Sequence, residues 1–112
     1  MRTLSDFFSI NTFLTTHAEN GWSDEGEMVD NDRIDYINAH LAAVSRAINE
    51  DGCNVVGWTA WSLMDSFEWN SGYEVHFGLF NVNYTSEGKE RTPKKSVEYL
   101  RDLIKRREIN SG

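Results

Sequence analysis

Cysteine occurs once, at Cys53, and proline once, at Pro93, in a chain of 112 residues. A lone thiol excludes an intrachain disulfide framework and suggests no metal cluster. Basic residues are also short, 11 against 18 acidic ones, for a net charge of −7. That balance argues against a nucleic acid or an anionic membrane surface as partner. No stretch approaches the roughly 18 apolar residues of a membrane-spanning helix. The run from Phe7 to Leu14 is broken by polar residues and lacks a clean small-residue cleavage site, so no signal peptide is expected. Compartment and oligomeric state are not legible. The length allows one small core and no more, and there is no internal repeat or low-complexity segment.

Aromatic residues, by contrast, are concentrated. Trp58-Thr59-Ala60-Trp61-Ser62-Leu63-Met64-Asp65-Ser66-Phe67-Glu68-Trp69 holds three tryptophans, a phenylalanine and two carboxylates in twelve residues. Flat indole faces stack on the apolar C–H faces of a pyranose, and carboxylates grip its hydroxyls. The same composition also describes an aromatic core strand with acidic neighbours. At this point both readings stand.

The order of elements is that of an α/β chain. Residues 22–30 are polar and read as a loop. A helix starts near Asp30 or Asn31, either a good N-cap, with Ile34, Ile37, Leu41, Val44 and Ile48 along one face. Asp51-Gly52 stops it. Val55 to Leu63 reads as a strand apolar on both faces, as a buried parallel strand is. Met64 to His76 is a long loop, Phe77 to Tyr84 is extended, and Ser86 to Lys89 is a turn. A last helix takes Thr92 as cap and Pro93 at its first position, with Val97, Leu100, Leu103 and Ile104 as its buried stripe. Lys94, Lys95, Arg101, Lys105, Arg106 and Arg107 are expected on the solvated face of that helix, where cations favour the C-terminal dipole. Arg33 and Glu27 are expected in solvent and His40 at the surface. Asn83-Tyr84-Thr85 is an N-glycosylation sequon, relevant only to a secreted chain.

The aromatic stretch resembles the W-S-L-x-D-x-F-E-W motif of glycoside hydrolase family 1, the β-glucosidase family. Further matches follow in the family's order. Glu19-Asn20-Gly21 resembles the end of the T-E-N-G nucleophile motif. Gly72-Tyr73 with Phe77-Gly78-Leu79, and then Arg91-Thr92-Pro93-Lys94-Lys95-Ser96, resemble its G-Y…F-G-L and R-T-P-K-x-S segments. The wording of Gly21 to Asp35 looks most like insect members.

The resemblance implies a (β/α)8 barrel, which takes about 250 residues. A chain of 112 residues would supply its last two β/α units, a C-terminal piece spanning residues 19–109. Residues 1–18 would be a divergent or non-native leader and 110–112 a tail. The approach Phe13-Leu14-Thr15-Thr16-His17-Ala18 departs from the apolar strand expected there, and Ala18 stands where Thr is usual. A genuine divergent strand is the other reading, since Thr has good β propensity.

By the same resemblance, Glu19 occupies the nucleophile position of a retaining β-glucosidase-like hydrolase. Glu68 would accept hydrogen bonds from the outer sugar hydroxyls, and Trp69 would donate its indole N–H. Trp61 would lie under the ring, and Phe77 would pack near the exocyclic carbon. Asp65 and Trp58 would be structural, and His76 has no catalytic role. The family's acid/base glutamate lies in an N-E-P motif, which this sequence lacks, so the chain alone is expected to be inactive. The substrate would be a β-linked glycoside with a glucose-like glycone, acted on without metal or organic cofactor. The alternative is a non-catalytic carbohydrate-binding pseudoenzyme or a degenerate gene fragment.

Overall fold

The computed structural model describes residues 16–107, with the backbone alone for 16–20. The readings of residues 1–15 and of the tail fall outside that range. Strand β1 (Thr16–Gly21) leads through a loop to helix α1 (Asn31–Asn49) and returns in β2 (Val55–Trp61). β1 and β2 pair in parallel, with Glu19 opposite Thr59 and Gly21 opposite Trp61. A parallel pair needs a crossover, and α1 supplies it. The second half is a short antiparallel pair, β3 (Phe80–Val82) with β4 (Arg91–Pro93), followed by helix α2 (Lys95–Arg106). The chain is thus α/β, as its sequence pattern predicts.

Helix α1 keeps the expected start, but its cap differs in function. Asp30 stands at the N-cap position, and its side chain makes no capping bond to a backbone N–H of its own helix. Its carboxylate instead accepts from the Ser96 backbone N–H at 2.9 Å and from the Ser96 hydroxyl at 2.6 Å. Asp30 therefore caps the other helix, where an anion meets the positive end of the α2 dipole. Lys95 N–H is taken by Met28 carbonyl at 2.8 Å, so the 28–30 loop satisfies two of the orphan donors of α2. Thr92 and Pro93 are correspondingly not the cap and first turn of α2. They lie in β4, and the helix begins at Lys95. Gly52 ends the first helix unit with φ +69, a backbone that L side chains rarely adopt.

The apolar faces are only partly covered. Among the described residues, Ile37, Ala47, Val82 and Leu100 are the buried apolar side chains. Ile48 and Ile104, expected in buried stripes, are exposed at 41% and 68%. The strand expected to be buried on both faces shows Val56 and Leu63 exposed at 65% and 61%. Among the described residues β2 pairs with one strand only, β1. The side chains buried most completely are instead Arg33, Lys94, Asp30 and Ser96. Arg33 and Lys94 were both expected in solvent, and the reason for their burial lies in the site.

Candidate glycone-binding site

The site grows from the C-terminal end of β2. Ser62 donates its N–H to Phe77 carbonyl at 2.9 Å, and Leu79 N–H returns to Ser62 carbonyl at 2.8 Å. Phe80 N–H to Leu63 carbonyl, at 2.9 Å, and Asp65 N–H to Phe80 carbonyl, at 3.0 Å, continue the ladder. The 77–80 segment therefore lies along 62–65 and closes the base of the 64–76 loop. Gly78 makes this approach possible. A Cβ there would meet Asp65 backbone nitrogen at 2.0 Å and Met64 carbonyl carbon at 2.4 Å, so no side chain fits.

Buried charge holds this base in place. Asp65, 4% exposed, accepts from Gly78 N–H at 2.8 Å and from Asn81 Nδ2 at 3.2 Å. Lys94 Nζ lies 3.3 Å from Asp65 Oδ1 and 2.7 Å from Asp24 Oδ2. Arg33 pairs with the Asp24 carboxylate and, at 2.9 Å, with Asp30. It also donates to the carbonyls of His76, at 2.9 Å, and Phe77. Three carboxylates thus enclose two cations, and the pair of helices is tied to the backbone of His76, Phe77 and Gly78. Buried charges persist only when paired and hydrogen-bonded in this way. Asp65 has the loop-holding role expected of it. Arg33 could have been flagged from spacing, because it precedes Ile37 by four and shares its inward face. Lys94 precedes its helix, so no periodicity separates it from exposed Lys95.

Above this base the candidate sugar-binding side chains are open. Trp69 is 86% exposed and Trp61 46%. Trp69 starts a single 3-10 turn, Trp69–Ser71, with φ +46. That left-handed backbone costs a non-glycine residue about 1–2 kcal/mol, and such outliers concentrate at functional positions. Glu68 is half-buried, and its Oε1 accepts from Ser66 hydroxyl at 2.8 Å. Among the described residues no protein group donates to Oε2, which leaves an acceptor for an incoming hydroxyl. Phe77 is half-buried at the loop base. Phe67, Tyr73 and Tyr84 form a row, with ring centroids 5.4 and 4.3 Å apart. Burial raises the Tyr84 phenol above its usual pKa, with smaller contributions from Tyr73 and Asp65. Its hydroxyl donates to Asp65 carbonyl at 2.6 Å.

The strand carrying Glu19 reaches this place. A Cβ on Gly21 would stand 3.3 Å from Trp61 Cβ and 3.4 Å from Phe77 Cδ1. The end of β1, two residues past Glu19, therefore lies beside both aromatics. Trp22 continues along the same side. Its indole N–H donates to Asp32 at 2.8 Å, and its ring lies 4.8 Å from Tyr36. That hydrogen bond lowers the Asp32 carboxyl pKa. Among the described residues no group of three His, Cys, Asp or Glu side chains could hold a metal ion. No helix there is long and apolar enough to cross a membrane.

Comparison with known proteins identifies the family. The family model for Glycosyl hydrolase family 1 matches residues 2–109. Myrosinase 1 of the aphid Brevicoryne brassicae is 41% identical over 87 residues, covering 78% of this chain and 19% of its own length. A 6-phospho-beta-galactosidase of Staphylococcus haemolyticus is 42% identical over 114 residues, covering 97% of this chain and 24% of its own length. The solved structure of a beta-glucosidase from the fungus Humicola insolens, in complex with glucose, superposes with a TM-score of 0.72 at 43% identity. It covers 79% of this chain and 20% of that one. The chain thus spans about a fifth to a quarter of the length of these relatives.

Proposed function

The chain belongs to glycosyl hydrolase family 1, and we propose that it forms the nucleophile-bearing, glycone-binding wall of a retaining β-glycosidase. In this reading it is the last two β/α units of the barrel. β1 and β2 are neighbouring barrel strands, and chemistry sits at their C-terminal ends. The observation that carries the proposal is the position of Gly21, opposite Trp61 in the β1–β2 pair and with the Phe77 ring where a side chain would otherwise lie. It brings the strand end that holds Glu19 to the aromatic residues proposed to seat the sugar.

A retaining hydrolase uses two carboxyl groups about 5–5.5 Å apart. Glu19 is the group that attacks the anomeric carbon and forms the glycosyl-enzyme. Its partner first protonates the leaving oxygen and then activates water. Trp61 lies under the pyranose, Glu68 accepts its outer hydroxyls, Trp69 donates its indole N–H, and Phe77 packs against the exocyclic carbon. The resemblance places the acid/base glutamate in an Asn-Glu-Pro motif. The one proline here, Pro93, follows Thr92, so the 112 residues lack that motif. The chain alone is therefore catalytically silent. Hydrolysis of an aryl β-glucoside by highly purified chain, abolished in Glu19→Gln, would overturn this.

Charge narrows the substrate. One of the relatives is by name a phosphosugar hydrolase, whereas residues 62–78 here hold Asp65, Glu68, Glu74 and His76 and no lysine or arginine. The nearby cations Arg33 and Lys94 are buried and paired to carboxylates. A dianionic phosphate would meet Glu68 without a counter-ion, which supports a neutral glycone. A second reading is a sugar-binding pseudoenzyme. Saturable glucose binding without turnover, lost in Trp61→Ala, would support it, and the absence of binding would remove it.

A further inference from the structure

We propose that Asn83 is an acceptor site for N-linked glycosylation. This does not depend on the sugar-binding reading, because the residue lies outside that site. Of the ten asparagines in the sequence, Asn83 alone is followed by x-Ser/Thr, in Asn83-Tyr84-Thr85. A motif of three residues means little when folded inward, and here the fold turns it outward. Asn83 follows β3 and closes the hairpin by donating its N–H to Glu90 carbonyl at 3.0 Å. Tyr84 faces inward, with its hydroxyl on Asp65 carbonyl at 2.6 Å and its ring 4.3 Å from Tyr73. Tyr84 and Thr85 lie in a turn, with Ser86 N–H reaching the Asn83 carbonyl at 3.4 Å. Tyr84 is half-buried on its anchors, while Asn83 and Thr85 on either side of it are both exposed.

The atoms of the acceptor are arranged for transfer. Asn83 Oδ1 accepts from the Thr85 hydroxyl at 2.7 Å and from Thr85 N–H at 3.1 Å. The side-chain carbonyl is thereby engaged on one side, and among the described residues nothing accepts from Nδ2. The rest of the turn is held by other groups. Lys89 Nζ donates to the carbonyls of Tyr84 and Ser86 at 2.7 and 2.9 Å, and Ser86 hydroxyl donates to Glu90. A substituent on Nδ2 breaks none of these bonds. The donor is an oligosaccharide linked through diphosphate to a lipid. The Nδ2–C1 bond to its terminal N-acetylglucosamine forms as the C1–O–phosphate bond breaks. The lipid diphosphate leaves with the electron pair, and one amide proton passes to a base of the transferase. No oxidant or reductant is involved.

The full chain, behind a cleavable secretory signal, is translated with endoplasmic-reticulum microsomes, and only the protease-protected pool is read. The expected result is one upward step in mass, removed by peptide-N-glycosidase. The step persists in Thr85→Ser and is lost in both Asn83→Gln and Thr85→Val. Protected wild-type chain that stays at its unmodified mass overturns the proposal. So does a mass step that survives Asn83→Gln.

Discussion

Replacing Arg33 with methionine keeps the length of the side chain and removes the charge. Arg33, 2% exposed, contacts the carboxylates of Asp24 and Asp30 and the carbonyls of His76 and Phe77. The carbonyls are not orphaned in Arg33→Met. Phe77 keeps the Ser62 N–H at 2.9 Å, and His76 keeps the Asp24 N–H at 3.0 Å. The cost falls on the carboxylates, since Asp30 would lose its Arg33 partner and Asp24 would keep only Lys94, which it shares with Asp65. Breaking a buried pair by removing one partner costs about 3–5 kcal/mol. A natural chain of 112 residues has a stability of about 6–17 kcal/mol at about 0.05–0.15 kcal/mol per residue. The substitution therefore removes roughly a sixth or more of it. With a urea slope near ~2 kcal/mol/M, a loss of ~4 kcal/mol lowers the midpoint by about 2 M. Tryptophan fluorescence and far-UV circular dichroism both follow the transition. The control is Lys95→Met, an exposed lysine bonded to Asn31 at 2.8 Å, expected within about 0.5 kcal/mol of the parent. A midpoint for Arg33→Met as close to the parent as the control's would refute the role given to the buried charges. Combining Arg33→Met with Asp30→Asn should cost less than the sum of the two, because the substitutions share one pair.

Three further outcomes follow from the same geometry. Lys94→Met should resemble Arg33→Met in urea and not the neighbouring Lys95→Met, because Lys94 Nζ bridges Asp24 and Asp65; equal midpoints for the two lysine variants would contradict this. Gly78→Ala forces a methyl group onto Asp65 backbone nitrogen, so it should cost at least the ~1–3 kcal/mol typical of overpacking; an unchanged midpoint would show that the loop base is open. The Asp32 carboxyl, held below its usual value of 3.8 chiefly by the Trp22 indole, should titrate closer to 3.8 in Trp22→Phe when followed by NMR. A depressed folded value means that the contribution is complete above the unfolded value and is lost as pH falls through the folded one. Acid should therefore destabilise the parent relative to Trp22→Phe below about pH 4, and identical acid profiles would contradict the hydrogen bond.

Periodicity made α1 legible, because Ile34, Ile37, Leu41, Val44 and Ile48 recur at helical spacing. The β2 strand was legible from its apolar run, and the loop base from the Ser62–Asp65 and Phe77–Leu79 segments of the aromatic motifs. Burial was less legible. Val56, Leu63, Ile48 and Ile104 have the composition of core residues, yet a side chain is buried by its neighbours, and sequence alone does not supply them. The charged centre was least legible. Lys94 meets Asp24 across 70 residues of sequence, and Ser96 meets Asp30 across 66. No local pattern encodes such a meeting. Thr92-Pro93 has the composition of a helix start, but β3 recruited it as a pairing partner, and Asp30 took over the cap. Tertiary pairing overrode a sound local signal there.

The most direct test of the nucleophile and glycone assignment is a chimera. Residues 19–107 of this chain replace the matching region of the Humicola insolens beta-glucosidase, whose structure aligns at 43% identity. Turnover of an aryl β-glucoside is then measured, with the anomer of the first product read by NMR. The account predicts hydrolysis with retention, abolished by Glu19→Gln and weakened by Glu68→Gln. A folded chimera that hydrolyses the glucoside equally well with Glu19→Gln would contradict it, as would a folded chimera with no turnover at all.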